Sequence, residues 1–108
     1  MTIKPIDGAD FDEKVNQATQ PVVVDFWLAN CPPCQTLEPK IAAVARAFAG
    51  RVKVYRLDVE KSPSISERYD VMSVPTLVFF REGRAVKRLD GLITQQDLAS
   101  AFGEVDAP

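Results

Sequence analysis

Asp25-Phe26-Trp27-Leu28-Ala29-Asn30-Cys31-Pro32-Pro33-Cys34 holds both cysteines of the chain. An apolar, β-branched run, Val22-Val23-Val24, precedes it, and a long helical pattern follows. The stretch therefore lies where a strand gives way to a helix, with a Cys-x-x-Cys pair at the junction. A helix N-terminus carries unpaired N–H groups and a partial positive charge, and both favour a thiolate over a thiol. The thiolate is the form that attacks disulfides. The stretch implies reversible thiol–disulfide exchange. The alternative, an inert buried cysteine pair, needs neither the spacing nor the helix start.

Working outward, Val22 to Leu28 is almost wholly apolar, which suits a central strand covered on both faces. Asp25 is the exception within it. Upstream, Ile3 to Ile6 reads as a short strand, placed at an edge by Pro5. Asp10 reads as a helix N-cap with Glu13 behind it. Phe11, Val15 and Ala18 carry that helix to about Ala18, and Thr19-Gln20-Pro21 breaks it. Downstream, a helix runs from Cys31 or Pro32 to about Ala49. Its apolar stripe is Leu37, Ile41, Val44, Ala45 and Phe48. Pro39 inside it predicts a kink, and Gly50 ends it.

Val52 to Val59 reads as a third strand. Ser62-Pro63 opens a short helix whose inner face is Ile65 and Tyr69. Thr76 to Phe80, a tight turn at Glu82-Gly83, and Ala85 to Leu89 form a hairpin. Thr94 caps a last helix with Leu98 and Phe102 inward, and Glu104 to Pro108 reads as a frayed tail. The order is β-α-β-α-β-α-β-β-α. Helical crossovers make the first three strands parallel, and the hairpin forces one strand to run against the rest. The expected architecture is α/β, a mixed five-stranded sheet with helices on both faces.

At 108 residues the chain fits one domain, spanning 1–108. An apolar fraction of 46% and a charged fraction of 26% are those of an ordinary globular protein, so a core can form without disulfide staples. A net charge of −2 with no basic stripe predicts no nucleic-acid partner. The absence of histidine removes the usual general base, the usual metal ligand and any Cys–His pair. One Cys-x-x-Cys cannot complete a four-ligand zinc site alone, so no metal is expected. Met1-Thr2-Ile3-Lys4-Pro5 has no apolar run behind its charge and reads as no signal peptide. No segment approaches the roughly 18 apolar residues of a membrane span. A cytoplasmic monomer without a membrane partner is expected.

Asp25-Phe26-Trp27 ahead of Cys31-x-Pro33-Cys34, then Pro39, Val74-Pro75-Thr76, Gly83 and Gly91, resembles the thioredoxin family along nearly the whole chain. The resemblance implies the thioredoxin fold, which agrees with the strand and helix order. It implies that Cys31 is the exposed nucleophile that forms a mixed disulfide, and that Cys34 is the buried cysteine that resolves it. Asp25 matches a buried carboxylate beneath the dithiol, and desolvation should raise its pKa. It could then accept the Cys34 proton. Arg56 falls where the family often has lysine, and a permanent charge there would favour ionised Asp25. Pro75 matches a cis-proline, although a proline before a strand is more often trans. A cis bond would set the Val74 backbone beside Cys31 to pair with an extended substrate segment. Trp27 matches a packing tryptophan next to the site. Gly83 is most simply a turn residue, and Gly91 lets substrate approach closely.

Three positions depart from the family pattern. Asn30 replaces a tryptophan, which removes a flat apolar surface at the substrate face. Pro32 replaces a glycine, giving Cys-Pro-Pro-Cys, so one N–H near the sulfurs is lost and Pro32 with Pro33 stiffens the turn. Ser73 stands where many members have glycine. The loss of a donor and the stiffness both point to a more reducing couple. The leading reading is a protein-disulfide reductase without a cofactor of its own. Its partners would be protein disulfides and a thioredoxin reductase, with NADPH as the ultimate donor to that reductase. A same-fold oxidant or isomerase, and a binding module with secondary redox activity, are the alternatives.

Overall fold

The computed structural model describes residues 3–108. Met1 and Thr2, part of the stretch read as lacking a leader, lie outside the described residues. Five strands, β1 (Lys4–Ile6), β2 (Val22–Trp27), β3 (Lys53–Asp58), β4 (Thr76–Arg81) and β5 (Arg84–Asp90), form one sheet in the order β1-β3-β2-β4-β5. β1 and β2 both pair parallel with β3, while β4 runs antiparallel to β2 and to β5. The order β-α-β-α-β-α-β-β-α holds, and β1 is an edge strand as Pro5 implied.

Each face of the sheet is sealed by helices. α2 (Pro32–Ala47) and α4 (Gln95–Asp106) cover one face. Leu37, Ile41, Val44, Leu98, Ala101 and Phe102 meet Val23, Leu77 and Phe79 there. α1 (Gly8–Phe11), its π-helical continuation Asp12–Asn16, and α3 (Pro63–Arg68) cover the other, where Phe11, Val15 and Ile65 meet Val22, Val24, Phe26, Val78 and Phe80. Phe11, Phe26, Phe79, Phe80 and Phe102 are fully buried. Each such side chain contributes about 1.5–3 kcal/mol of burial, so the two clusters dominate the stability of the fold. No helix among the described residues is long and apolar enough to cross a membrane.

Several boundaries differ from the expectation. The first helix is capped by Asp7, whose side chain accepts the Asp10 N–H at 3.0 Å, and not by Asp10. It ends at Asn16, not Ala18, after widening so that the Gln17 N–H reaches the Asp12 carbonyl at 2.9 Å. Asn16 then donates from Nδ2 to the Gly83 carbonyl at 3.3 Å, tying the helix end to the hairpin turn. Glu82 and Gly83 both take positive φ, 50° and 78°, the primed turn that matches strand twist. A Cβ on Gly83 would also strike the Asn16 carbonyl, so glycine is required there twice over.

α2 runs through Pro39 as one helix and stops at Ala47, with Phe48 as its C-cap and Gly50 at φ +84°. Ser62 caps α3 without a side-chain bond; its hydroxyl instead accepts the Gly8 N–H at 3.0 Å. Thr94 caps α4 as expected and forms a reciprocal capping box with Asp97. The tail from Glu104 is not frayed: α4 continues to Asp106, Val105 is 3% exposed, and Arg51 pairs with Asp106 at 3.4 Å. Val105 extends the stripe Leu98, Ala101, Phe102 by one more helical step, and its burial retains the last turn.

Candidate active site

β2 ends at Trp27, and the chain turns through Leu28, Ala29 and Asn30 into α2. Gln35 fastens this turn by donating from Nε2 to the Ala29 carbonyl at 2.8 Å. Cys31 is the N-cap of α2 in extended conformation, and Pro32 and Pro33 fill the first two helical positions. Neither proline has an N–H, so the first donor of this helix is Cys34. Its N–H donates to Cys31 Sγ at 3.2 Å. The two cysteines are joined as a disulfide, with Cα atoms 5.2 Å apart. Cys31 is 8% exposed and Cys34 2%. Cys31 is therefore the more accessible residue of the pair, but in the oxidised state it is nearly buried and not exposed as expected.

Asp25 sits mid-way along β2, opposite Arg56 on β3 and Leu77 on β4. Alternation along the strand sends its side chain, like that of Val23, toward α2. It is 4% exposed, and its Oδ1 has no hydrogen-bond partner. Burial pushes its pKa up to about 7; the nearby charge of Glu38 adds to the rise and Arg56 opposes it. Arg56 thus favours ionised Asp25 as expected, but it is outweighed. Arg56 donates from Nη1 to Glu38 Oε1 at 2.9 Å, and its guanidinium carbon lies 4.4 Å from the centre of the Trp27 ring. With the cation engaged there, desolvation wins.

The peptide bond Val74–Pro75 is cis. The loop before it is braced by Thr76, whose hydroxyl donates to the Ser73 carbonyl at 2.7 Å. Pro32 and Pro33 from α2, Pro75, and Gly91 with Leu92 line a groove of ≈ 350 Å3 beside the disulfide. Leu92 is 98% exposed on its rim, and Met72, in the loop leading to Pro75, is 92% exposed. Gly91 has φ +71° and open space where a side chain would stand, so both backbone conformation and access suit glycine. Of the residues expected at the substrate face, Pro32, Pro33, Pro75 and Gly91 converge on the groove. Asn30 is exposed on the turn, Val74 is half-buried, and Trp27 lies under Arg56.

The family model described as Thioredoxin matches residues 2–104. The thioredoxin of Staphylococcus aureus strain Mu50 is 37% identical over 102 residues, which is 94% of this chain and 96% of that protein. The thioredoxins of strains MW2 and N315 match to the same extent. The chain belongs to the thioredoxin family.

As a thioredoxin-family protein with a Cys31–Cys34 disulfide at a helix start, it is a thiol–disulfide oxidoreductase. Two features of the site escaped the sequence. Glu38, which bonds Arg56 and acts on Asp25, carries a signal in hindsight: it is one helical turn beyond Cys34 on the same face. Leu92 and Met72 had none, because an apolar residue in a loop shows no periodicity to mark it.

Proposed function

We propose that the protein is a protein-disulfide reductase in which Cys31 attacks and Cys34 resolves. The observation that carries this reading is the Cys34 N–H aimed at Cys31 Sγ at the start of α2. On reduction, charge on that sulfur meets a donor and the positive end of the helix dipole. In the proposed cycle the Cys31 thiolate attacks a substrate disulfide, forms a mixed disulfide and expels one substrate thiolate. Cys34 then attacks Cys31 Sγ, its proton passing to Asp25. The second substrate thiolate leaves, and the Cys31–Cys34 disulfide is restored. Two electrons have moved to the substrate. A carboxyl with pKa about 7 suits that transfer, since it gains and loses a proton near neutral pH.

The groove at Pro32, Pro33, Pro75 and Gly91 receives the substrate segment in this reading, with the Val74 backbone pairing to it. Protein disulfides are the substrates and a thioredoxin reductase restores the dithiol, in a reducing compartment such as the cytoplasm. Equilibration of the Cys31–Cys34 couple against a redox buffer tests this. Potentials across the fold span roughly −270 to −120 mV, and a value near the lower end is expected. A value above about −200 mV overturns the reading in favour of an oxidant or isomerase. Cys34→Ser should trap a covalent mixed disulfide through Cys31; failure to trap one, with the variant folded, sinks the assigned roles.

A further inference from the structure

Two buried side-chain polar atoms have no hydrogen-bond partner among the described residues, and they belong to neighbours: Asp25 Oδ1 and Arg56 Nε. Asp25 and Arg56 stand in register on β2 and β3, so both side chains rise from the same face of the sheet. A buried carboxylate beside a guanidinium ordinarily pairs with it, because charge-assisted bonds are strong and unpaired buried polar atoms are costly. Here the guanidinium is held elsewhere. Glu38 Oε1 accepts Nη1 at 2.9 Å, and the Trp27 ring lies beneath the guanidinium carbon at 4.4 Å. Glu38 in turn is fixed on α2, one turn after Cys34.

We propose that Glu38 is a positioning residue of the exchange site: by holding the Arg56 guanidinium over Trp27, it denies Asp25 an ion-pair partner and leaves that carboxyl free to take up a proton. The consequence for catalysis rests on the reading of Asp25 as the acceptor of the Cys34 proton. The charged groups acting on Asp25 are Glu38 from α2, which raises its pKa, and Arg56 from β3, which lowers it. β4 places Leu77 opposite and brings no charge. Cys34 on α2 titrates only once the disulfide is reduced. Removing Glu38 thus takes away one raising charge and releases the lowering one. A guanidinium that reaches a carboxylate lowers its pKa by about 1–3 units.

The test is a titration of the Asp25 carboxyl by 13C NMR in the oxidised protein, in wild type and Glu38→Ala, each with Arg56 intact and with Arg56→Met. Alanine is the best helix former and position 38 is partly exposed, so Glu38→Ala retains α2. With Arg56 present, Glu38→Ala should lower the midpoint by about one pH unit or more. With Arg56→Met it should lower it by less than half as much. An unmoved midpoint, or equal shifts in the two backgrounds, overturns the proposal; equal shifts would mean that Glu38 acts by its own charge alone. The pH profile of mixed-disulfide release is followed alongside. If the carboxyl midpoint moves and the release profile does not, the role of Asp25 fails while the positioning by Glu38 stands.

Discussion

Val22, Val24 and Phe26 leave β2 on one side, and Val23, Asp25 and Trp27 leave it on the other. The first side is closed by aromatic packing. Phe80 meets Tyr69 edge-on at 5.2 Å and Phe11 at 5.9 Å, and Phe26 lies 6.5 Å from Tyr69. The second side is equally dry at Val23, which shares a core cluster with Leu37 and Ile41 of α2, and turns polar two residues on at Asp25, within the influence of Glu38 and Arg56. Both sides are buried, yet burial does opposite things. On the aromatic side it removes apolar surface from water and stabilises. On the α2 side it strips a carboxyl of solvent, which costs stability and moves its titration into the physiological range.

Breaking the apolar side should have the largest thermodynamic effect. Phe26→Ala should lower the unfolding free energy by about 3–5 kcal/mol in urea titrations, while the fraction that remains folded still exchanges disulfides. A loss under 1 kcal/mol would show that this side collapses easily and that the contrast is overdrawn.

Next in size is Asp25→Asn, and its effect should depend on pH. Below the ordinary value of 3.8 the carboxyl is protonated in folded and unfolded chains alike, and burial carries no ionisation penalty. As pH rises from there to about 7, the unfolded chain ionises while the folded one holds its proton, so stability is progressively lost. Above that range the loss is complete. Asp25→Asn should therefore stabilise the protein by roughly 2–4 kcal/mol at pH 8 and by almost nothing near pH 3.5. A pH-independent difference would contradict the raised pKa. The same substitution should slow mixed-disulfide release if Asp25 takes the Cys34 proton.

The smallest expected change sharpens the chemistry of the α2 side. Pro32→Gly restores an N–H at the first helical position and loosens the turn. The added donor favours thiolate Cys31, and the looser turn favours the open dithiol. The reduction potential should rise by on the order of 30 mV, equivalent to about 1.4 kcal/mol for a two-electron couple. An unchanged potential would show that the Cys34 N–H alone sets the environment of Cys31.

Much of this was legible beforehand for a physical reason. Strands and helices in this chain bury whole faces, and buried faces leave periodic apolar patterns; β2, α2 and the β4–β5 hairpin were read from such patterns. Element ends were less legible because local signals compete. Asp7 and Asp10 are both good caps, and Asp7 is the residue whose carboxylate reaches an N–H three positions on. The last turn of α4 carries few local signals, and it is Val105 entering the core shared by α2 and α4 that retains it.

At the site, the dithiol and the odd carboxylate of β2 announced themselves by type and position. The partner of Arg56 did not. An arginine in register with an aspartate suggests an ion pair, and one hydrogen bond to Glu38 and one ring beneath the guanidinium redirected it.

From its sequence alone the protein was bound to place a Cys-x-x-Cys pair at the start of a helix after a buried strand, because apolar periodicity and proline positions act over a few residues. The chemistry of thiol–disulfide exchange follows from that local arrangement. Only the tertiary structure decided that Val74–Pro75 is cis beside the groove, that Cys31 is nearly buried when oxidised, and that Asp25 holds its proton up to about pH 7. These depend on which distant side chains exclude water and which charge reaches which partner. Such energies vary with distance and solvent access, and residue type and spacing do not encode either.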